Sequence, residues 1–121
     1  MLPRVHRLTS GDSFRRVART GKRSGSRTLV VHLLLAPWPG ETALAAPPTG
    51  GFVVSRAVGN SVTRNVVKRR LRHLARERLS GLPAGTQVVV RALPAAARAT
   101  YADLAADLDK TLSRSLPEAA A

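Results

Sequence analysis

Hydrophobic and polar positions divide the chain into segments of different period. Residues 10–19 place Phe14, Val17 and Ala18 on one side of a helical repeat, which predicts a short helix. Thr9 and Asp12 have capping-box spacing, with Asp in place of the usual Glu or Gln, and Gly21 follows as a stop. Residues 22–27, KRSGSR, read as a basic, turn-rich link that leaves room for one extra short strand. Residues 27–36 are β-branched and leucine-rich, without Gly or Pro, and predict a buried strand. Residues 37–50 hold four Pro and two Gly, a loop composition. A second strand is expected at 51–56, GFVVSR, then a turn at 57–60 where Gly59 can take a positive φ. Residues 61 to about 79 form the longest helical segment, ended by Gly81, Pro83 and Gly85. A third strand at 86–93 stops at Pro94. The last helix, 100–116, carries Leu104, Leu108, Leu112 and Leu116 at four-residue steps. The order α-β-β-α-β-α, or α-β-β-(β)-α-β-α with the extra strand, is that of one α+β domain. It covers residues 1–121, with an ordered core from about 8 to 116, a basic irregular start and a frayed tail at 117–121.

The segment 61–79 carries more than a core face. At about 100° per residue, Val67, Leu71, Leu74 and Ala75 share one arc. Asn65, Lys68, Arg69, Arg72 and Arg76 share another, and no acid lies on it. Lys68, Arg72 and Arg76 follow one another at i,i+4, where like charges destabilise a helix. Nothing within a helix rewards that pattern, so it points to a polyanionic partner rather than a merely solvated face.

Composition enlarges this reading. The 121 residues are 44% hydrophobic, enough for one buried core. Lys and Arg number 20 against 7 Asp and Glu, a net charge of +13. Such an excess repels itself in a small body and favours nucleic acid or an anionic membrane. Of the 20 cations 17 are Arg, whose planar fork suits phosphate and stacks on bases, so nucleic acid is favoured. The absence of Cys removes disulfides, thiolate metal sites and a Cys nucleophile. The longest apolar run, 29–38, is broken by His32 and Pro37 and is too short to span a membrane. With no signal peptide apparent, a soluble cytoplasmic protein is expected. His6, His32 and His73 lack metal-ligand spacing, and the acids are dispersed. Asp103 and Asp107, one turn apart, balance Lys110 and Arg114 better than they make a metal pair. No G-x-S-x-G, P-loop or H-E-x-x-H motif is present. A nuclease centre borne by the protein itself is not expected.

Residues 55–72, SRAVGNSVTRNVVKRRLR, resemble the signature of the bacterial ribonuclease P protein subunit, S-K-K-x-G-N-A-V-x-R-N-x-x-K-R-x-x-R. Ser55, Gly59, Asn60, Val62, Arg64, Asn65, Lys68, Arg69 and Arg72 match it. Leu8, Phe14, Val17, Gly21, Lys22 and Arg23 are similar to the family's N-terminal positions, and the likeness spans about residues 4 to 115. Departures are Ala57 for the second basic residue of S-K-K, Val66 for an arginine, Ser13 for an aspartate, Ala18 for an aromatic and His32 for a tyrosine. The resemblance implies a single-domain α-β sandwich with a left-handed β-α-β crossover, where the general rule expects a right-handed one. It implies an RNA-binding subunit that assists a catalytic RNA in removing the 5′ leader of precursor tRNA. Mg²⁺ is then held mainly by the RNA, with no organic cofactor and no catalytic residue in the protein. The RNA-binding residues carried over are Lys22, Arg23, Arg56, Asn60, Arg64, Asn65, Lys68, Arg69, Arg72 and Arg76. Replacing Arg64, Lys68, Arg69 or Arg72 by Ala is expected to weaken RNA binding with little loss of stability. A cleft for the single-stranded leader would use Phe14, Val30 and His32.

Two residues keep a second reading. Phe14 on a short amphipathic helix also fits a plain core residue, and His32 also fits a satisfied or surface histidine. As alternatives for the whole chain, a basic ribosomal or ribosome-assembly protein needs the charge but not the ordered 59–72 spacing. A DNA-binding architectural protein needs a dimerisation element or helix-turn-helix pair, and neither is evident.

Overall fold

In a computed structural model of the chain, residues 11–35 and 47–116 are described. The predicted cap residue Thr9, the basic start, the loop at 37–46 and the tail at 117–121 lie outside them. Three helices and four strands follow in order: α1 (Gly11–Thr20), β1 (Lys22–Gly25), β2 (Leu29–Leu34), β3 (Thr49–Val53), α2 (Ser61–Leu79), β4 (Gln87–Ala92) and α3 (Tyr101–Ser115). A 3₁₀ turn, Pro94–Ala97, separates β4 from α3. The fold is α+β, with one sheet ordered β1-β2-β4-β3. β1 pairs antiparallel with β2, and β2 with β4, while β3 runs parallel to β4 with α2 as the connection between them.

The extra short strand that residues 22–27 left room for is present as β1. β1 pairs with β2 from Lys22 opposite Leu33 to Gly25 opposite Val30. Its Lys and Arg suit an edge, where charge discourages pairing with other chains. Ser26 closes the hairpin, its backbone N–H and its hydroxyl both donating to the Leu29 carbonyl, at 2.8 and 3.1 Å.

β3 begins two residues earlier than the pattern predicts and ends three earlier. Gly50, placed in the loop by composition, lies inside the strand beside Gly51, and side chains of the helices press against both. A Cβ on Gly51 would sit 2.2 Å from the Phe14 ring, and one on Gly50 would sit 3.1 Å from Leu79. Glycine marks close approach here, not a turn.

α2 spans the predicted residues. Asn60 is its N-cap, the side chain accepting from the Thr63 N–H at 2.9 Å. α3 starts on a reciprocal box, in which Thr100 accepts from the Asp103 N–H and Asp103 accepts from the Thr100 N–H. That box pulls the Asp103 carboxyl below its usual range.

Strand alternation builds three layers. Leu29, Val31, Leu33, Val88, Val90 and Ala92 face α2 and α3 and form the main core with Val67, Leu71, Leu74, Leu79, Leu104 and Leu108. The opposite face of the sheet carries α1, where Val17 and Val89 are buried with Phe14, Leu34 and Val53 around them. Thr28 donates to Asp107, and Arg78 forms a forked ion pair with Asp109 at 2.6 and 3.1 Å, tying α3 to the β1–β2 turn and to α2.

Candidate RNA interface

α2 sorts its cations by direction. Arg70 reaches the Ala99 carbonyl and Arg78 is held by Asp109, so both serve packing. Asn65, Arg69, Arg72 and Arg76 are exposed and Lys68 is half-buried. Among the described residues none of these five side chains has a hydrogen bond or ion pair. The stripe is a row of donors held rigid by the Val67–Leu71–Leu74–Ala75 face behind it. Like charges at this spacing are neutralised by a polyanion laid along the helix.

Three residues named from the resemblance stand outside that row. Arg64 turns toward the apolar side, is half-buried, and its Nε is enclosed without a partner. Asn60 spends its side-chain oxygen on the helix cap, leaving its amide group for other contacts. Arg56 is exposed in the turn before the cap, a turn closed by the Val58 N–H to the Ser55 carbonyl.

A groove of about 180 Å³ opens on the other face of the sheet. It is lined by Phe14, Arg15 and Ala18 of α1, His32 of β2, Val53 of β3 and Val89 and Arg91 of β4. Phe14 and His32 are thus brought together. Val30 lies on the same face, buried and opposite Arg91 in the register, but outside the lining. Ala18, where the family pattern has an aromatic, leaves one wall open. His32 Nδ1 is enclosed and has no partner. Burial, then the charges of Arg23 and Arg91, hold the imidazole below its ordinary pKa. Arg91 was missed by motif reasoning. Its signal is the lone charge within an apolar strand, on the parity of Gln87 and Val89.

Lys22 and Arg23 do not act as a pair. Arg23 stands opposite His32 and joins the groove side, whereas Lys22 stands opposite Leu33 on the other face. Adjacent strand residues point to opposite faces.

The acids of α3 have structural partners. Asp103 caps its helix, Asp107 accepts from Thr28, and Asp109 binds Arg78. Asp103 and Asp107 are engaged separately, not as a pair.

A basic stripe and an aromatic-bearing groove on two faces of one sheet fit the ribonuclease P resemblance, and comparison with known proteins decides it. A family model described as Ribonuclease P matches residues 2–116. The chain belongs to the ribonuclease P protein family. A "Ribonuclease P protein component" of a Nocardioides species is 57% identical over 114 residues, covering 94% of each chain. That of Streptomyces bikiniensis is 54% identical over 118 residues, covering 96% of each. Among solved structures, the RNase P protein of Staphylococcus aureus matches with TM-score 0.73 at 23% identity, covering 90% of this chain and 94% of that one. That of Thermotoga maritima gives 0.72 at 22%, covering 92% and 98%. These two establish the fold, which is the family's. The ribosomal alternative gains no support.

Proposed function

We propose that this family member acts as the RNA-binding subunit of a ribonucleoprotein endonuclease that removes the 5′ leader from precursor tRNA. The observation that carries the reading is the unpaired cationic stripe of α2, backed by its core face and placed on a member of this family. The stripe binds the catalytic RNA by its phosphates. The α1 groove takes the single-stranded leader, with Phe14 stacking on a base and His32 contacting the same strand. Arg23 and Arg91 on the groove side supply charge for its phosphates.

We assign the chemistry and its Mg²⁺ to the RNA. In support, the α3 carboxylates are committed to cap, hydroxyl and guanidinium, and among the described residues no group of three potential metal-ligating side chains gathers. The protein's part is charge. Fixed cations near converging phosphates replace metal ions that the RNA would otherwise need. The place of action is the cytoplasm; among the described residues no helix is long and apolar enough to cross a membrane.

Reconstitution tests this. Added to its cognate catalytic RNA, the protein is expected to lower the Mg²⁺ concentration at which precursor tRNA is cleaved, and to cleave nothing alone. Cleavage by RNA-free, metal-supplemented protein, or an unchanged Mg²⁺ requirement, overturns the reading.

A further inference from the structure

A second groove, of about 450 Å³, lies away from the α1 face. Arg27, Val58, Pro94, Ala95, Ala97 and Arg98 line it. Three chain segments build it: the β1–β2 turn, the turn before α2, and the 3₁₀ turn with Arg98 as its C-cap. Both guanidinium groups are exposed. Between them the lining is small and apolar, and it contains no carboxylate. Asp103 feels the Arg27 charge but is occupied with the α3 cap, and Asp107 accepts from Thr28, the residue after Arg27. Val58 is buried two residues before the Asn60 cap, and Arg56 is exposed in the same turn. The groove therefore opens at the end of α2 where the cationic stripe begins.

We propose that this groove is a further phosphate-binding site for the catalytic RNA, with Arg27 and Arg98 gripping one sugar–phosphate segment that continues the path along α2. Resting on the function proposed above, it extends the RNA footprint to residues outside the 55–72 pattern. Two guanidinium forks from different elements suit phosphate oxygens. The low apolar lining admits a ribose without a competing anion. Arg27 and Arg98 are far apart in sequence and meet only because the 3₁₀ turn packs beside the β1–β2 turn.

The test is a salt series of the affinity of the full chain for its catalytic RNA. The variants are the double Arg27→Gln/Arg98→Gln, the double Arg27→Lys/Arg98→Lys, and Arg114→Gln as an exposed control on α3, with folding followed by circular dichroism. The Gln double is expected to reduce the log–log salt slope by about 1.4–1.8, at about 0.7–0.9 per phosphate contact. The Lys double keeps the point charges and is expected to restore most of that slope. Arg114→Gln is expected to leave it unchanged. An unchanged slope in the folded Gln double overturns the site, as does an equal loss in Arg114→Gln, which would mark a diffuse charge effect. If Arg72→Ala lowers the slope while the Gln double does not, the groove alone is wrong. If the wild-type chain shows no salt-dependent affinity for the RNA, the proposed function itself fails.

Discussion

His32 is the residue whose chemistry depends most on its neighbours. It interrupts an apolar strand, faces the groove, and stands opposite Arg23 on β1 and Val89 on β4, with Arg91 two residues farther along β4 and Arg15 of α1 on the same lining. Burial comes first, then the two arginine charges, and together they lower its pKa from 6.5. The unfolded chain then takes up a proton that the folded chain refuses. Stability is full above pH 6.5 and declines as pH falls from there toward the folded-state pKa. The thermal midpoint of the protein is expected to drop over that window, and in His32→Gln the drop is expected to be smaller. Identical midpoint-versus-pH curves for the two proteins would show that His32 titrates as if exposed. Phe14 shows the other side of residue-scale control. Its ring lies where a Cβ of residue 51 would be, so Gly51 is what lets it reach the sheet.

At the scale of one element, α2 separates binding from folding by direction around its axis. Arg72 is exposed, and an exposed charge contributes roughly 0–1 kcal/mol to folding. Arg72→Ala is expected to leave the thermal midpoint nearly unchanged while reducing the salt slope of RNA binding by about 0.7–0.9. Arg64 belongs to a different class than the sequence suggests. Its stem is packed and its Nε enclosed, so truncation removes apolar contact as well as charge. Arg64→Ala is expected to cost about 1 kcal/mol of stability in addition to any loss of binding, a size common for partly buried positions. Urea denaturation of both variants checks the difference. Equal midpoints for Arg64→Ala and Arg72→Ala would return Arg64 to the exposed row.

In the whole molecule, the sheet stands between the two surfaces. α2 packs on the face of Val31 and Val90, and α1 on the face of Val89. Separate surfaces without shared partners contribute additively, to about 0.3–0.5 kcal/mol. Phe14→Ala is expected to weaken precursor tRNA binding in the assembled complex by about 1–3 kcal/mol and to spare mature tRNA, which lacks the leader. Arg72→Ala is expected to weaken assembly with the RNA, whichever tRNA is present. The double variant is expected to show the sum of the two losses. A departure well beyond that margin in folded protein would mean that one RNA segment touches both faces.

Much of this was legible in the linear chain because it depends on period and local chemistry. The 3.6-residue repeat gave α2 its buried face and its cationic stripe, Gly81, Pro83 and Gly85 gave its end, and the leucines at four-residue steps marked the course of α3. The ordered residues from Ser55 to Arg72 carried the family. What the sequence could not show was which segments pass close to one another. The strand identity of 22–25 rests on a partner strand, since a basic tetrapeptide holds an edge only where β2 presents its hydrogen bonds. Gly50 looks like the end of a loop until Leu79 arrives over it, and Gly51 looks like an ordinary strand residue until the Phe14 ring does. Arg91 joins His32, and Arg27 meets Arg98, across distances that no local pattern encodes. Periodicity fixes which side of an element a residue occupies; only packing of the elements decides what stands opposite it.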